Sequence, residues 1–245
     1  MKKLLAVCVC TVLVSAYSFA EFVISPSVGY ANHFSLSTEE FHTQTSHSVE
    51  AGTLVHTIAW HSLAIGLDLG FIGKSGFTFF SNNSVSFAGG MNKSVSAGED
   101  SITFKAQELK GAYWDGELLA GYTFKQVPNL YVTLAGGLGA GGTLSIVPGK
   151  VGMKEHTIPT KDVLKVVGFN AGIALHAEAA YYFTKNIGLA LSITETPGYG
   201  GLFVEVNKKS GAGSLVGSVI DEDSLGSDFG FVNVFRLKLG PTFKF

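Results

Sequence analysis

Charged residues and cysteine are scarce in this sequence of 245 residues. Aspartate, glutamate, lysine and arginine together make up 15% of it, and the only arginine is Arg236. A formal net charge of -2 and a single arginine argue against phosphate or base recognition, so we expect no nucleic-acid partner. Both cysteines, Cys8 and Cys10, lie near the N-terminus, which excludes disulfide and thiolate chemistry from the rest of the chain.

Long apolar runs are also lacking, apart from a short one at the N-terminus. Residues 1–3 are basic, residues 4–14 are apolar, and Ser18-Phe19-Ala20 has the small-x-small pattern of a cleavage site. The run is too short to span a membrane as a helix. We therefore predict a cleaved secretory signal peptide over residues 1–20 and a single domain over residues 21–245. Export without a later apolar segment of helix length indicates a periplasmic, secreted or outer-membrane protein of a bacterium.

Glycine and phenylalanine are abundant, with 31 and 19 residues, and the apolar residues follow an alternating pattern. Residues 229–245 alternate strictly between apolar side chains and a face that carries Arg236, Lys238 and Lys244. A slip by one residue would turn these cations to the apolar side, which in a bilayer costs roughly 2 to 4 kcal/mol each near the midplane. The register of this last strand is therefore firmly set.

The same alternation predicts eight strands. They cover residues 22–31, 49–60, 63–72, 113–124, 130–146, 164–183, 187–196 and 229–245. Short connections at residues 61–62, 125–129 and 184–186 alternate with long ones, which is typical of transmembrane barrels with short periplasmic turns and long extracellular loops. Residues 73–110 indicate a long loop with its own β extension, and a second hairpin there would give ten strands.

Aromatic positions distinguish a membrane barrel from a soluble barrel, which would turn its apolar side chains inward. One group falls beside the short connections and the chain ends: Phe22, Trp60, Tyr122, Phe124, Tyr181, Phe183, Phe243 and Phe245. A second group falls near the long connections: Tyr30, Phe71, Trp114, Phe169 and Phe231. At about 3.3 Å a residue and a tilt near 40°, the two groups stand roughly 25 Å apart, the height of an outer-membrane apolar band. We predict an all-β, antiparallel, up-and-down transmembrane barrel in contact with outer-membrane lipid.

The opposite strand faces predict a polar network that lines the lumen. Its members are Asp68, Asp115, Glu117, His176, Glu178, Arg236 and Lys238. The acidic side chains nearly balance Arg236, Lys238 and Lys244, and buried charges persist only when they are paired. Because eight strands leave a lumen about wide enough for side chains to fill, we expect a plugged barrel or a narrow pore. Small residues would line that pore: Gly66, Gly70, Gly172 and Ala174.

Two features fit this scheme poorly. His56 falls on the same face as Ile58 and Trp60, which would place it in lipid unless a bulge resets the strand. Pro26 and Pro241 lie on the two strands that must pair to close the barrel, so that seam is expected to lose ladder hydrogen bonds.

Three motif-like features carry no strong prediction of chemistry. Gly137 to Gly142 match G-x-G-x-x-G, but the next residues indicate a strand rather than the helix that a nucleotide site needs, so we expect no cofactor. The histidines of residues 32–47 (His33, His42 and His47), near Glu39 and Glu40, fit no fixed ligand spacing, and we predict an exposed loop without a metal site. The acidic run at residues 221–223 is expected to be solvated.

A catalytic arrangement has one candidate. If Phe183 pairs with Ile187, then His176 lies opposite Thr194 and Glu178 opposite Ser192, all facing the lumen, which is the nearest approach to a hydrolase. Because no oxyanion donor is evident, we favour a polar network and predict no enzymatic activity.

Several segments resemble known outer-membrane proteins. SPSVGYANHFSLS (residues 25–37), LDLGFIGKSGFTFFSNNSVSFAGG (67–90) and YYFTKNIGLALSITETPGYG (181–200) are similar to a treponemal family of small outer-membrane proteins known only as a domain of unknown function. The resemblance implies a barrel in a spirochaete and supplies no catalytic residues. Phe245 resembles the C-terminal phenylalanine by which outer-membrane barrels signal to the barrel-assembly machinery.

Two functions remain open. The chain is either a surface-exposed barrel whose loops bind a host or environmental partner, or a small porin-like solute channel. A lipid hydrolase is a third, less favoured hypothesis.

Overall fold

The computed structural model describes residues 21–44, 49–87, 91–97, 100–106, 110–153, 156–206 and 228–245. Ten strands occupy these ranges: β1 (Glu21–Gln44), β2 (Val49–Ile72), β3 (Phe77–Phe87), β4 (Met91–Ala97), β5 (Asp100–Ala106), β6 (Lys110–Val127), β7 (Leu130–Met153), β8 (His156–Tyr182), β9 (Ile187–Val206) and β10 (Asp228–Lys244). In these ranges no helix is long and apolar enough to cross a membrane.

Eight of the strands close an antiparallel barrel. Their order is β1-β10-β9-β8-β7-β6-β3-β2, and β2 pairs with β1 to complete the ring. β2 pairs with β3 along its second half and with β4 along its first half, so the β4–β5 hairpin continues the wall beyond the end of β3. The predicted fold, an all-β antiparallel barrel of eight strands, is confirmed.

The predicted turn at residues 61–62 is wrong. β2 runs without interruption from Val49 to Ile72 and pairs with β1 residue by residue over its whole length. The strand that completes the count is β3, Phe77–Phe87, which the sequence pattern assigned to a loop. These two errors cancel, so the number of barrel strands is right although two boundaries are not.

The short turns follow from local sequence. Between β6 and β7, the ring of Pro128 fixes φ near about -65° and Asn129 adopts a φ of 65°, the combination of a type II turn. Between β2 and β3, Gly76 has a φ of 93°, which favours glycine, and its amide donates a 2.9 Å hydrogen bond to the carbonyl of Gly73.

At the other end of the barrel the strands extend into stretches predicted as loops. The β1–β2 ladder continues to Gln44 and Val49, and β7 and β8 remain paired up to Met153 and His156. A strand of 24 residues such as β1 is roughly 60 Å tall at about 3.3 Å a residue and a tilt near 40°, more than twice the apolar band. These stretches lack apolar alternation because their outer faces need not contact hydrocarbon.

The outer wall is apolar between two sets of aromatic rings. Aliphatic side chains exposed on it include Val28, Leu63, Ile65, Leu118, Leu134, Ile173, Leu191 and Leu239. Near the short turns, ring centroids lie 5.0 Å apart for Phe22 and Phe71, 5.0 Å for Tyr122 and Phe124, and 5.4 Å for Tyr181 and Phe183. Near the opposite edge Tyr30, Trp114, Phe169 and Phe231 are exposed.

Two aromatic residues were assigned to the wrong place. Phe71 belongs to the set beside the short turns, because β2 runs toward the turn at residues 73–76. Trp60 faces the lumen and is buried, as is Ile58. The prediction for His56 concerns a side chain outside those that the structure describes.

The seam between β1 and β10 is interrupted as predicted. Its ladder pairs Ile24 with Phe243 and resumes only at Val28 with Leu239, so the segment around Pro26 and Pro241 contributes no paired residues. Inside the lumen, Ser25 bridges this gap by donating a 2.8 Å hydrogen bond to Thr242.

Candidate functional site

All seven residues predicted to line the lumen lie inside the barrel and are at most 6% exposed: Asp68, Asp115, Glu117, His176, Glu178, Arg236 and Lys238. They project from β2, β6, β8 and β10, whose alternating faces were predicted in that register. The structure brings most of them together in one layer across the middle of the barrel, and the candidate site is this layer with the side chains above and below it.

Arg236 is the centre of the layer. Its guanidinium forms ion pairs with Asp115 and Glu117 of β6, and it donates 3.2 Å hydrogen bonds to the hydroxyls of Ser84 and Thr196. Ser84 in turn donates a 2.8 Å hydrogen bond to Asp115. A planar guanidinium offers a rigid fork of donors that suits two carboxylates, so this side chain crosses the lumen and closes it.

Lys238 forms the second ion pair of the layer. Its Nζ lies 2.6 and 2.8 Å from the carboxylate oxygens of Asp68 on β2. The side chain fits because position 66 is a glycine: a Cβ there would lie 3.2 Å from Nζ of Lys238. Gly66 therefore makes room for a lysine that fills the lumen, as expected of a plugged barrel rather than of a narrow pore.

An apolar cluster inside the lumen was not predicted. Phe80, Leu119 and Ala174 are fully buried against one another, with Ala135 beside them. Gly70 accommodates the Phe80 ring, since a Cβ at that position would lie 2.2 Å from the ring. Ala174 was predicted to face the lumen and Leu119 shares the inward parity of β6, but Phe80 was missed because β3, which carries it, was taken for a loop. This cluster fills a second part of the lumen.

The predicted pairing of the β8–β9 hairpin is confirmed. His176 lies opposite Thr194 and Glu178 opposite Ser192, all four side chains buried. Nδ1 of His176 lies 2.9 Å from the Thr194 hydroxyl and 3.2 Å from the side-chain nitrogen of Asn82. One imidazole nitrogen thus has two polar neighbours, an arrangement that fits a structural network better than a catalytic base.

Lys244 was predicted to help balance the acidic side chains of the lumen, but it lies away from the central layer. It lies at the end near the short turns, where Nζ is 2.8 Å from the hydroxyl of Tyr131 and 4.5 Å from the ring centroids of Tyr131 and Tyr182. Glu21 joins this group through a 2.9 Å ion pair with Lys125. The central layer is left with Asp68, Asp115, Glu117 and Glu178 against two cations.

On the other side of Arg236 the lumen is aromatic. The ring of His33 lies 3.9 Å from that of Tyr113 and 5.2 Å from that of Trp60, and the Tyr113 hydroxyl donates a hydrogen bond to Asn170. The prediction that His33 lies in an exposed loop is wrong, because β1 continues past it and its inward parity buries it. The predictions for His42, His47, Glu39, Glu40 and residues 221–223 lie outside the described side chains.

The G-x-G-x-x-G match lies in the middle of β7, so the prediction of a strand is confirmed. A Cβ at Gly141 would lie 2.4 Å from the hydroxyl of Tyr113, and one at Gly139 would lie 2.8 Å from Thr196. These glycines give space to lumen side chains of the nearby strands β6 and β9. Among the described residues no group of three metal-ligating side chains occurs.

A family model, the domain of unknown function DUF2715, matches residues 18–245. The chain belongs to the DUF2715 family. No curated protein sequence matches it significantly. Phe245 lies at the seam of this DUF2715 barrel, where its amide donates a 2.9 Å hydrogen bond to the carbonyl of Phe22 and its carbonyl accepts a 3.1 Å hydrogen bond from the amide of Phe22.

Solved structures similar to this DUF2715 protein are outer-membrane proteins. OprG from Pseudomonas aeruginosa is 14% identical, with 93% of this chain and 96% of that chain covered and a TM-score of 0.46. Ail from Yersinia pestis is 12% identical, with 93% and 99% covered and a TM-score of 0.39. The protease OmpT from Escherichia coli is 9% identical, with 93% and 97% covered and a TM-score of 0.49. At these identities the similarity is one of fold alone.

Proposed function

We propose that this DUF2715 protein is a surface-exposed outer-membrane barrel whose long connections bind an external partner, such as a host or environmental molecule. The observation that carries the proposal is the closed lumen, filled at its middle by Arg236 and its two carboxylates and by Phe80 with Leu119. A lumen filled in this way favours the outer surface as the part of the protein that binds a partner.

The extended strands support this proposal. β1, β2 and β7 are 24 residues long, and the β4–β5 hairpin adds to the wall beyond β3. The ends of these strands that lie far from the three described short turns all extend toward the same side of the barrel. The barrel therefore presents a large protein surface beyond the apolar band, on one side of the membrane.

Adhesion of whole cells tests the proposal. A non-adherent bacterium would display the wild-type protein, a variant with residues 88–109 replaced by a short turn, or Arg236→Lys, which alters only the lumen. We expect binding to cultured epithelial cells with the wild type and Arg236→Lys and its loss with the shortened connection. Equal adhesion by the wild type and an empty-vector strain, with the protein detected on the surface, would contradict the proposal.

A small solute channel is the second candidate. The specific observation in its favour is the excess of carboxylates among the described side chains of the central layer, four against Arg236 and Lys238, which would favour passage of cations if the layer opened. This hypothesis predicts conductance that Asp68→Ala or Arg236→Ala alters. A lipid hydrolase is disfavoured, since His176 is buried; it would require an activity that His176→Ala abolishes.

We further infer that residues 1–20 direct export, that the barrel-assembly machinery recognises β10 through Phe245, and that the source is a treponeme. The alternating C-terminal strand and the resemblance in three segments support these inferences. Mass spectrometry of the outer-membrane form should find Glu21 as its first residue, and deletion of Phe245 should lower the heat-modifiable fraction. A membrane form that retains residue 1, or full assembly without Phe245, would refute the corresponding inference.

A further inference from the structure

The outward face of β3 carries two polar side chains in the middle of the apolar band. Phe77 pairs with Tyr122, one of the aromatic residues beside the short turns, and Phe87 lies ten residues further along the same face. Ser81 and Asn83 lie four and six residues from Phe77, so both side chains face hydrocarbon near its midplane. Their outward neighbours on the adjoining strands are apolar: Leu67 and Leu69 of β2 and Leu118 of β6.

The amide of Asn83 is only partly satisfied within one chain. Its nitrogen donates a 3.1 Å hydrogen bond to the hydroxyl of Ser81, and this side chain makes no other hydrogen bond among the described residues. A carboxamide has two N–H donors and a carbonyl acceptor, so one donor and the acceptor remain. Hydrocarbon supplies no partner for them, and an unpaired polar group is costly there. The side chain therefore favours a partner that lies in the membrane.

The wall around Asn83 is shaped for a close contact. Gly116 of β6 is paired with it and has no side chain to cover it: a Cβ there would lie 3.2 Å from Oδ1 of Asn83. Small residues let proteins approach closely within a membrane, where polar side chains then hydrogen-bond across the contact. Leu67, Phe79 and Leu118 are exposed around this position and provide apolar surface for packing. These four residues, with Ser81 and Asn83, form what we call the β3 patch.

We propose that the β3 patch is the contact between two copies of this chain, related by a two-fold axis along the membrane normal, with the two Asn83 amides paired across that axis. Copies inserted in the same direction present Asn83 at the same depth, and a carboxamide is complementary to itself because it both donates and accepts. A different protein would need a polar group at that depth, whereas a second copy always has one. A patch that contacts itself closes as a dimer.

This contact lies in the barrel wall, within the apolar band. It does not rest on the connections to which the proposed adhesion is assigned, so dimer formation and adhesion can fail separately.

Energy transfer in vesicles tests the dimer. Residues 21–245 contain no cysteine, so Lys185→Cys, in the exposed turn between β8 and β9, gives one labelling site outside the band. Donor-labelled and acceptor-labelled mature barrels would be refolded together into phosphatidylcholine vesicles at decreasing ratios of protein to lipid. We expect energy transfer that persists on dilution and saturates as a monomer–dimer equilibrium. Transfer that falls to the level of random collisions would overturn the proposal, and a lipid or another protein would then be the occupant of the patch.

Substitutions at position 83 in the same labelled protein assign the polar contact. Asn83→Leu should weaken the dimer by about tenfold, whereas Asn83→Gln keeps the amide and should stay within about threefold. Asn83→Leu also removes an unpaired polar group from hydrocarbon, so its heat-modifiable gel shift should match that of the wild type. A role in folding alone would instead change the gel shift and leave the dimer intact. Unchanged dimer affinity in Asn83→Leu would overturn the proposal.

A matched pair of leucines assigns the face. Leu118 lies in the β3 patch, and Leu191 is exposed on β9, four strands away around the barrel. Leu118→Ala should weaken the dimer and Leu191→Ala should not, because only the first removes apolar surface from the contact. Equal effects of the two variants would contradict the assignment to β3. If Asn83→Leu does not fold, this pair decides.

Discussion

At the scale of single residues, the side chain of Arg236 links four strands. It projects from β10 and contacts carboxylates of β6 and hydroxyls of β3 and β9. Desolvation makes such a pair a weak source of net stability, yet removal of one partner leaves the others buried and charged without compensation. Arg236 therefore affects stability mainly because its removal would leave Asp115 and Glu117 buried without a counter-ion.

Arg236→Ala should lower the free energy of unfolding by about 3 to 5 kcal/mol, since Asp115 and Glu117 would lose their counter-ion. Guanidinium unfolding of the refolded barrel, followed by tryptophan fluorescence, measures this. Arg236→Lys is the matched control: it keeps the charge but lacks the planar fork, so its loss should be smaller. An Arg236→Ala barrel as stable as the wild type would contradict the account of the layer.

Gly70 gives a second prediction at this scale. Gly70→Ala places a Cβ 2.2 Å from the Phe80 ring and should destabilise the barrel by about 1 to 3 kcal/mol. Gly136→Ala, also on a barrel strand, would meet its nearest atom at 3.7 Å and should change stability by less than about 0.5 kcal/mol. The same unfolding assay compares them, and equal effects would show that position 70 is not filled by Phe80.

At the scale of strands, the sequence predicted β8, β9 and β10 with their register because bulky apolar residues mark one face of each. It did not predict β3, because Ser81 and Asn83 interrupt the outer face, which is apolar at Phe77, Phe79, Val85 and Phe87, and because the inner face is mostly polar. The strand exists because β2 and β6 supply pairing partners on both sides. A tertiary partner of this kind cannot be deduced from local alternation.

The prediction for β2 failed for a different reason: a turn was placed inside a continuous strand. The bulky residues Ile58 and Trp60 fall on even positions and those from Leu63 onward fall on odd positions, a change of parity that indicates a turn when every apolar face is assumed to meet lipid. From Ile58 to Ile72 the even face points inward, and the lumen beyond Arg236 is aromatic, so Ile58 and Trp60 are apolar residues of the lumen. The lumen residues of the central layer were predictable because their strands are regular; the aromatic part of the lumen was not, because it breaks the rule of a polar lumen.

The continuous β2 strand predicts different lipid contacts for the two tryptophans. With Trp60→Phe, the remaining Trp114 faces outward and should be strongly quenched by lipids brominated on their acyl chains. With Trp114→Phe, the remaining Trp60 lies in the lumen and should be little affected. Similar quenching of both variants in reconstituted vesicles would support the turn at residues 61–62 instead.

The whole molecule is a barrel whose lumen is filled in layers. From the short turns inward these are the mouth around Lys244 and Glu21, the apolar cluster of Phe80 and Leu119, and the ion-pair layer of Arg236 and Lys238, with the aromatic part of the lumen around His33 beyond. An eight-stranded wall is about wide enough for such side chains and little more. The filled lumen and the strands that extend far past the apolar band are the features that support the proposed surface binding over the alternative of a solute channel.

Single-channel recording of the refolded mature protein in a planar bilayer tests this central claim most directly, after a heat-modifiable gel shift has shown that the barrel is folded. The closed lumen predicts no reproducible conductance steps from the wild type, while Arg236→Ala, which removes the side chain across the middle, should produce brief and infrequent ones. Stable, discrete conductance from the folded wild-type barrel would contradict the claim and make the channel the better assignment.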